Sequence, residues 1–169
     1  MKALVVYESM YGNTRDIAEA IAAGLSEGAP VEVVEVGAAP ATVGDEVALV
    51  VGGGPTHAFG MSRASTRADA AEDGPVLSAG TGIREWAAGV QLPAGVPAAT
   101  FDTKVVKPSL PGSAASAAAR RLRRKGAQMI AQPTTFYVAG KKGPLVVGEL
   151  ARARRWGEML APQAGRVAA

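Results

Sequence analysis

Apolar residues in this chain fall in short runs, separated by longer stretches in which they recur every third or fourth position. Lys2 to Tyr7, Val31 to Val36 and Glu46 to Val51 are three such runs, rich in valine, the last two bounded by Gly, Pro or Asp. Runs of that length and composition read as strands. Between the first two, Ile17, Ile21 and Leu25 recur every four residues, with Ala18 and Ala22 widening the stripe. That spacing predicts a helix over Thr14 to Leu25 with one buried face. Pro97 to Phe101 makes a fourth strand. Gln128 to Val138 makes a fifth, interrupted at Pro133 because proline offers no donor to a sheet ladder.

Before the fourth strand, Ile83, Trp86 and Ala87 predict a short helix. After it, Ser113 caps a helix whose inward stripe is Ala115, Ala118, Ala119 and Leu122, with Gly126 just past its end. A last helix is expected from about Leu145 to Leu160, with Val146, Leu150, Ala153, Gly157 and Leu160 on one side. Trp86, Trp156 and Met159 stand at helix spacing that favours packing.

Strand and helix therefore alternate without a break in composition, which predicts an α/β domain, a parallel sheet covered by helices on both faces. Val47 to Val51, apolar throughout, suits a strand buried on both sides. The stretch Gly52 to Gly80 is far longer than the usual ~4–6 residue connection, so a functional or disordered loop is expected there. At 169 residues, with 48% hydrophobic and 20% charged, the chain is expected to be one globular domain over residues 1–169.

The absence of cysteine excludes disulfides, thiolate nucleophiles and cysteine metal sites, and a single histidine, His57, excludes a histidine-rich one. Glu8 ends the first apolar run short of a signal-peptide core, and Pro93 and Pro97 break the uncharged stretch Trp86 to Phe101. A cytoplasmic protein without a membrane span is expected. The net charge is +3, with basic clusters at Arg120 to Lys125 and Arg152 to Arg155. On helices these read as solvated faces and cations favoured by a C-terminal dipole, and nucleic acid is not an expected partner.

In an open parallel sheet, ligands bind beyond the carboxyl ends of the strands, where strand order reverses. The loops concerned are Glu8 to Thr14, Gly52 to Gly80 and Asp102 to Gly112. In the first, Ser9 and Thr14 flank Gly12-Asn13 and the loop opens directly into a helix, which suits a phosphate. Thr14 or Asn13 could equally serve as a helix cap alone. No Gly-Lys-Ser/Thr follows the glycines Gly52 to Gly54, and no GxGxxG stands at a strand-to-helix turn, so nucleoside triphosphate and dinucleotide loops are excluded. Glu8 stands without the second acid that a response-regulator receiver carries.

Val5-Val6-Tyr7-Glu8-Ser9-Met10-Tyr11-Gly12-Asn13-Thr14, with Ala18 and Ile21 behind it, resembles position by position the signature that opens flavodoxins, in the Ser-Met-Tyr-Gly form shared with flavodoxin-like quinone reductases. Gly53 to His57 resembles that family's loop after strand three, and Trp156-Gly157 its final helix. The resemblance implies a flavodoxin-like, doubly wound sheet of five parallel strands in the order 2-1-3-4-5, holding flavin mononucleotide (FMN) noncovalently. Ser9, Met10, Tyr11, Gly12, Asn13 and Thr14 would then hold the phosphate through main-chain N–H groups and the two hydroxyls. Pro55, Thr56, His57, Ala58, Phe59 and Gly60 would lie along the isoalloxazine ring, with His57 or Phe59 to stack on it. Phe101, Asp102 and Thr103 would approach from the other side.

Three roles stay open at this level. His57 either contacts the flavin or faces solvent, Asp102 bonds the flavin or caps a turn, and Tyr11 covers the phosphate or packs on the long connection. Flavodoxins also press a second aromatic on the ring from the loop after strand four, and Asp102 to Gly112 contains none. They are usually acidic, whereas this chain is basic, which makes reduction of a bound flavin easier. The implied function is FMN-mediated electron transfer to a redox partner protein or small-molecule acceptor, by a monomer or homodimer. The alternatives are a flavin-dependent reductase or oxidase of quinones or porphyrinogens, and a flavin-free module whose arginine-rich helices bind an acidic partner.

Overall fold

The computed structural model describes residues 1–165; residues 166–169, which the single-domain reading includes, lie outside them. The elements are β1 (Lys2–Tyr7), α1 (Asn13–Leu25), β2 (Val31–Glu35), β3 (Val47–His57), β4 (Gly60–Met61), α2 (Ala64–Glu72), α3 (Ile83–Gly89), β5 (Pro97–Val105), α4 (Ala114–Arg124), β6 (Gln128–Met129), β7 (Thr134–Val138) and α5 (Glu149–Ala164). Strands run in the order β2-β1-β3-β5, with β6 and β7 sharing the far edge of β5, all in parallel. This is the expected order 2-1-3-4-5, its fifth position split in two. The split falls at Ile130 to Pro133, where the proline interrupts the ladder as anticipated.

Successive side chains of a strand point to opposite faces, and the core divides accordingly. Ala3, Val5, Leu49 and Val51 face Ile17 and Ile21 of α1 and Trp156 and Leu160 of α5. Leu4, Val6 and Val50 face Ile83, Trp86 and Leu122 on α3 and α4. On the first face Phe101, Phe136 and Trp156 meet edge to face, with ring centroids 6.2–6.5 Å apart. Gly53 makes room for them, since a Cβ there would stand 2.3 Å from the Phe101 ring.

Two expectations are corrected. The connection after the third strand is not a structureless loop: β3 continues to His57, turns back as β4, and is followed by α2. Only Arg67 and Ala70 of α2 are buried, so it has no apolar stripe for periodicity to detect. The last helix begins four residues late, because Leu145 bridges Val138 and the Val146 N–H donates to the Tyr137 carbonyl, 2.9 Å, as an added edge of the sheet. Leu150 and Met159 consequently point to solvent, and the buried face is Ala153, Trp156, Gly157, Leu160, Ala161 and Ala164.

Helices α1 and α5 cross backbone to backbone. A Cβ on Gly24 would lie 2.1 Å from the Arg154 carbonyl oxygen, and one on Gly157 2.1 Å from that of Ile21. Gly157→Ala is therefore expected to destabilise the fold by about 1–3 kcal/mol, read as a lower urea midpoint at unchanged slope. Gly89→Ala, at a helix position with nothing within 4 Å of the added Cβ, serves as the control and should be neutral or stabilising.

Candidate functional site

A cavity of about 300 Å³ opens at the carboxyl ends of β1, β3 and β5. Its first wall is the turn between β1 and α1. Gly12 stands at the helix start with φ 97°, a left-handed conformation that glycine adopts without steric cost, and its N–H donates to Ser9 Oγ, 3.1 Å. The outer side of the turn is bound to the segment that precedes α3. Ser9 and Met10 accept through their carbonyls from the N–H groups of Ser78 (2.9 Å) and Leu77 (3.0 Å). The Ser9 N–H donates to Ser78 Oγ, 3.0 Å, which in turn donates to Glu35 Oε1, 2.6 Å.

With the carbonyls so engaged, the N–H groups of Met10, Tyr11, Asn13, Thr14 and Arg15 find no protein acceptor among the described residues. Below them, Thr14 Oγ1 and Thr103 Oγ1 lie 2.6 Å apart, buried. One hydroxyl donates to the other, leaving one proton to offer into the cavity. Unspent N–H groups at a helix start, aligned with its dipole, constitute an anion cradle.

The second wall is the end of β3, Pro55 to Ala58. His57 pairs with Gly60, and the two residues between them, Ala58 (φ 43°) and Phe59 (φ 75°), both have positive φ. Such a two-residue turn fits the twist of a hairpin but ordinarily uses Asn-Gly, so both residues carry local strain. His57 Nδ1 lies 3.2 Å from Thr66 Oγ1. Burial, and then the charges of Arg67 and Lys141, hold its pKa below the ordinary 6.5.

The third wall is Thr103 to Val105, with Val138 of β7 beside it. Three further contributions had no sequence signal: Thr66, Asp69 and Ala70 from α2, Lys104 from β5, and Lys141 from the segment after β7. Lys141 is ion-paired with Asp73, and Lys142 sits over the Tyr11 ring at 5.4 Å. Tyr11 lines the cavity and donates its hydroxyl to the Ala70 carbonyl, 2.9 Å, so it packs on the long connection.

Of the residues singled out by sequence, Ser9, Met10, Tyr11, Asn13, Thr14, Pro55, Thr56, His57, Ala58 and Thr103 are brought together around this cavity. Gly12 supplies the turn behind it, and Phe59 and Gly60 stand just outside, the Phe59 ring largely exposed. Phe101 and Asp102 do not reach it. Phe101 is fully buried in the aromatic trio. Asp102 Oδ2 accepts from Thr56 Oγ1 (3.0 Å), Ser113 Oγ (2.6 Å) and the Ala115 N–H (3.0 Å), which fixes the start of α4 and takes up the Thr56 hydroxyl.

The flavodoxin family model matches residues 5–78, a span that includes the first two walls of the cavity. No curated protein matches the sequence. Solved structures superpose over nearly the whole chain. A flavodoxin from the domain Archaea aligns with TM-score 0.68 at 22% identity, covering 98% of this chain and 100% of its own. Flavodoxin 1 from Bacillus cereus aligns with TM-score 0.69 at 16% identity, covering 99% and 100%. The chain has the flavodoxin fold. A WrbA-like flavodoxin from Agrobacterium tumefaciens shares it at TM-score 0.58 and 19% identity, with 96% of each chain covered.

In this flavodoxin fold the cradle at Ser9 to Thr14 fits the phosphate of FMN, because its donors lack partners and no carboxylate lines that wall. The side facing β5 and β7 is aliphatic, Val105 and Val138, in place of an aromatic.

The depressed pKa of His57 has a consequence for stability. Below pH 6.5 the unfolded chain binds a proton at this position that the folded chain refuses, so stability falls as pH drops below 6.5 toward the lower folded-state pKa. His57→Gln is expected to lose less stability than the parent between about pH 7.5 and 5.5, measured as the change in thermal midpoint.

Proposed function

We propose that this protein is a single-domain, FMN-binding flavodoxin that carries electrons between redox partners in the cytoplasm. The observation that carries the reading is the set of unspent N–H groups at the start of α1, standing over the buried Thr14–Thr103 hydroxyl pair. The family match over residues 5–78 supports it. No helix among the described residues is long and apolar enough to cross a membrane.

Bound FMN supplies the redox chemistry, taking up and returning electrons. The chain's own groups bind and orient. Met10, Tyr11, Asn13, Thr14 and Arg15 offer main-chain donors to the phosphate, and the Thr14 hydroxyl adds a further one. Pro55 to Ala58 form one side of the ring site and Thr103 to Val105 the other. Around the cavity Lys104 stands against Asp69 while Lys141 is paired with Asp73, so the lining adds no net negative charge to oppose the reduced flavin. Electron transfer asks no side chain to act as nucleophile or general acid, and a His57 held neutral is consistent with that.

Fluorescence titration with FMN tests the reading. The parent protein is expected to bind and turn yellow, and Thr14→Ala to weaken binding by about 1–2 kcal/mol, roughly five- to thirty-fold in Kd. Protein that stays colourless after incubation with FMN overturns the assignment. NAD(P)H-dependent quinone reduction well above that of free FMN would instead make it a reductase, a role that the absence of an aromatic cover on the β5 side also suits.

A further inference from the structure

Charge is segregated along this chain far more sharply than its net value of +3 reveals. Residues 1–102 contain thirteen Asp and Glu against five Lys and Arg, a net of −8. Thr103 to Gly148 contain nine Lys and Arg and no acid, a net of +9. The fold turns this linear asymmetry into a spatial one. Residues 1–102 build the β2-β1-β3 side, whereas 103–148 build the end of β5, α4, β6 and β7 on the opposite side of the cavity.

Of those nine cations only Lys141 is in an ion pair among the described residues. A helix C-terminus accounts for Arg121, Arg123 and Arg124, but it does not account for the cations nearest the cavity. Lys104 lines the cavity, and Lys107 is exposed on the segment beyond it. Two arginines from the other half join them. Arg63 stands beside the β4 turn, and Arg84, which donates to the Met61 and Ser62 carbonyls and lies 4.0 Å from where a Cβ on Gly60 would stand, feels the charges of both Arg63 and Arg121 of α4.

Between these charges stand exposed apolar side chains. Phe59 is 58% exposed, Leu110 49% and Val106 40%. The 106–112 segment packs directly on the Phe59 turn, since a Cβ on Gly112 would lie 1.9 Å from the Phe59 carbonyl oxygen. It is held there by Lys104, which donates to the carbonyls of Leu110 and Gly112. An apolar centre with an aromatic and an arginine-rich rim is the composition of a protein interface.

We propose that this surface, Phe59, Val106 and Leu110 framed by Lys107, Arg63, Arg84 and Arg121, docks an acidic electron-transfer protein beside the cavity mouth. The inference rests on the electron-carrier reading. The unpaired cations attract an acidic face and orient the encounter, and the apolar centre excludes water where the partner comes nearest the site. Exposed Phe, Leu and Val favour a protein over nucleic acid, whose phosphates offer them nothing to cover.

The probe is a reduced plant-type [2Fe–2S] ferredoxin, an acidic carrier, mixed in a stopped-flow instrument with the protein carrying oxidised FMN; the counter-probe is oxidised basic cytochrome c, mixed with the protein after its FMN has been reduced. The rate with ferredoxin should fall about ten-fold as ionic strength rises from about 0.01 to about 0.3 M, whereas the rate with cytochrome c should rise. Lys107→Glu combined with Arg121→Glu should slow ferredoxin about five- to ten-fold at low salt, with FMN affinity unchanged and the thermal midpoint lowered only slightly by the reversed charge at the end of α4. A rate indifferent to salt, a double variant as fast as the parent, or faster reaction with cytochrome c at low salt overturns the proposal. Binding of duplex DNA that ferredoxin does not displace assigns the surface to nucleic acid and also overturns it. A parallel titration of FMN-free protein with ferredoxin reads the surface independently, so failure to bind FMN and failure to dock remain separate results.

Discussion

Everything at the functional end of this molecule depends on which way six residues of backbone face. The turn from Ser9 to Thr14 has its outer carbonyls bound by Leu77 and Ser78, and Ser78 is itself held by Glu35. The N–H groups at the start of α1 are left to face the cavity. A helix start always leaves such donors over, and they are commonly satisfied by a capping side chain. Here the N-cap is Gly12, which has no side chain to offer, and Ser9 Oγ accepts from the Gly12 N–H. The helix is stable without a cap because α5 presses against it along the Gly24–Gly157 crossing. Packing at one end of α1 thus permits unsatisfied donors at the other.

The same logic extends below the turn. Glu8, at the end of β1, is completely buried and accepts from the Ile83 N–H at 2.7 Å, fastening α3 to the base of the site. Burial pushes its carboxyl pKa up. Next to it Arg67, 3% exposed, donates to Glu85 at 2.6 Å and to Ser62 Oγ at 2.8 Å. This network joins the long excursion after β3 to the sheet, and explains how a helix with almost no apolar face, α2, comes to form a wall of the cavity. Its anchor is a buried arginine and the Tyr11–Ala70 hydrogen bond in place of a hydrophobic stripe.

That substitution also marks the limit of what sequence could reveal. The valine runs and the Ile17–Ile21–Leu25 stripe were legible because burial on a sheet face or helix face imposes a period. The turn from Ser9 to Thr14 was legible as a strand-to-helix boundary because small residues, hydroxyls and a glycine gather there between two periodic segments. Helix α2 was not, since polar anchors have no period. Phe101 and Asp102 illustrate a different failure. Strand β5 runs on to Val105, and alternation along it turns Phe101 into the core and Asp102 toward α4, while Thr103 reaches the cavity. Proximity in sequence to a ligand loop does not decide which face a strand residue takes. The start of α5 was misplaced because Leu145 and Val146 satisfied a helical stripe and an edge pairing equally well, and only the presence of β7 beside them selects the second.

Strain and charge meet at the turn of Ala58 and Phe59. Two consecutive residues with positive φ, neither of them glycine, are each disfavoured by about 1 kcal/mol or more. Asn-Gly would have built the same hairpin more cheaply, so folding alone does not explain these residues. What they add is a large exposed ring at the cavity mouth, seated between a segment held by Lys104 and a group of unpaired arginines. An exposed aromatic and clustered cations are both complemented by an apolar, negatively charged surface laid over them. The costs at this corner of the fold are therefore of the kind a docking partner removes, whereas the α1–α5 and aromatic contacts on the far side need nothing further to complete them.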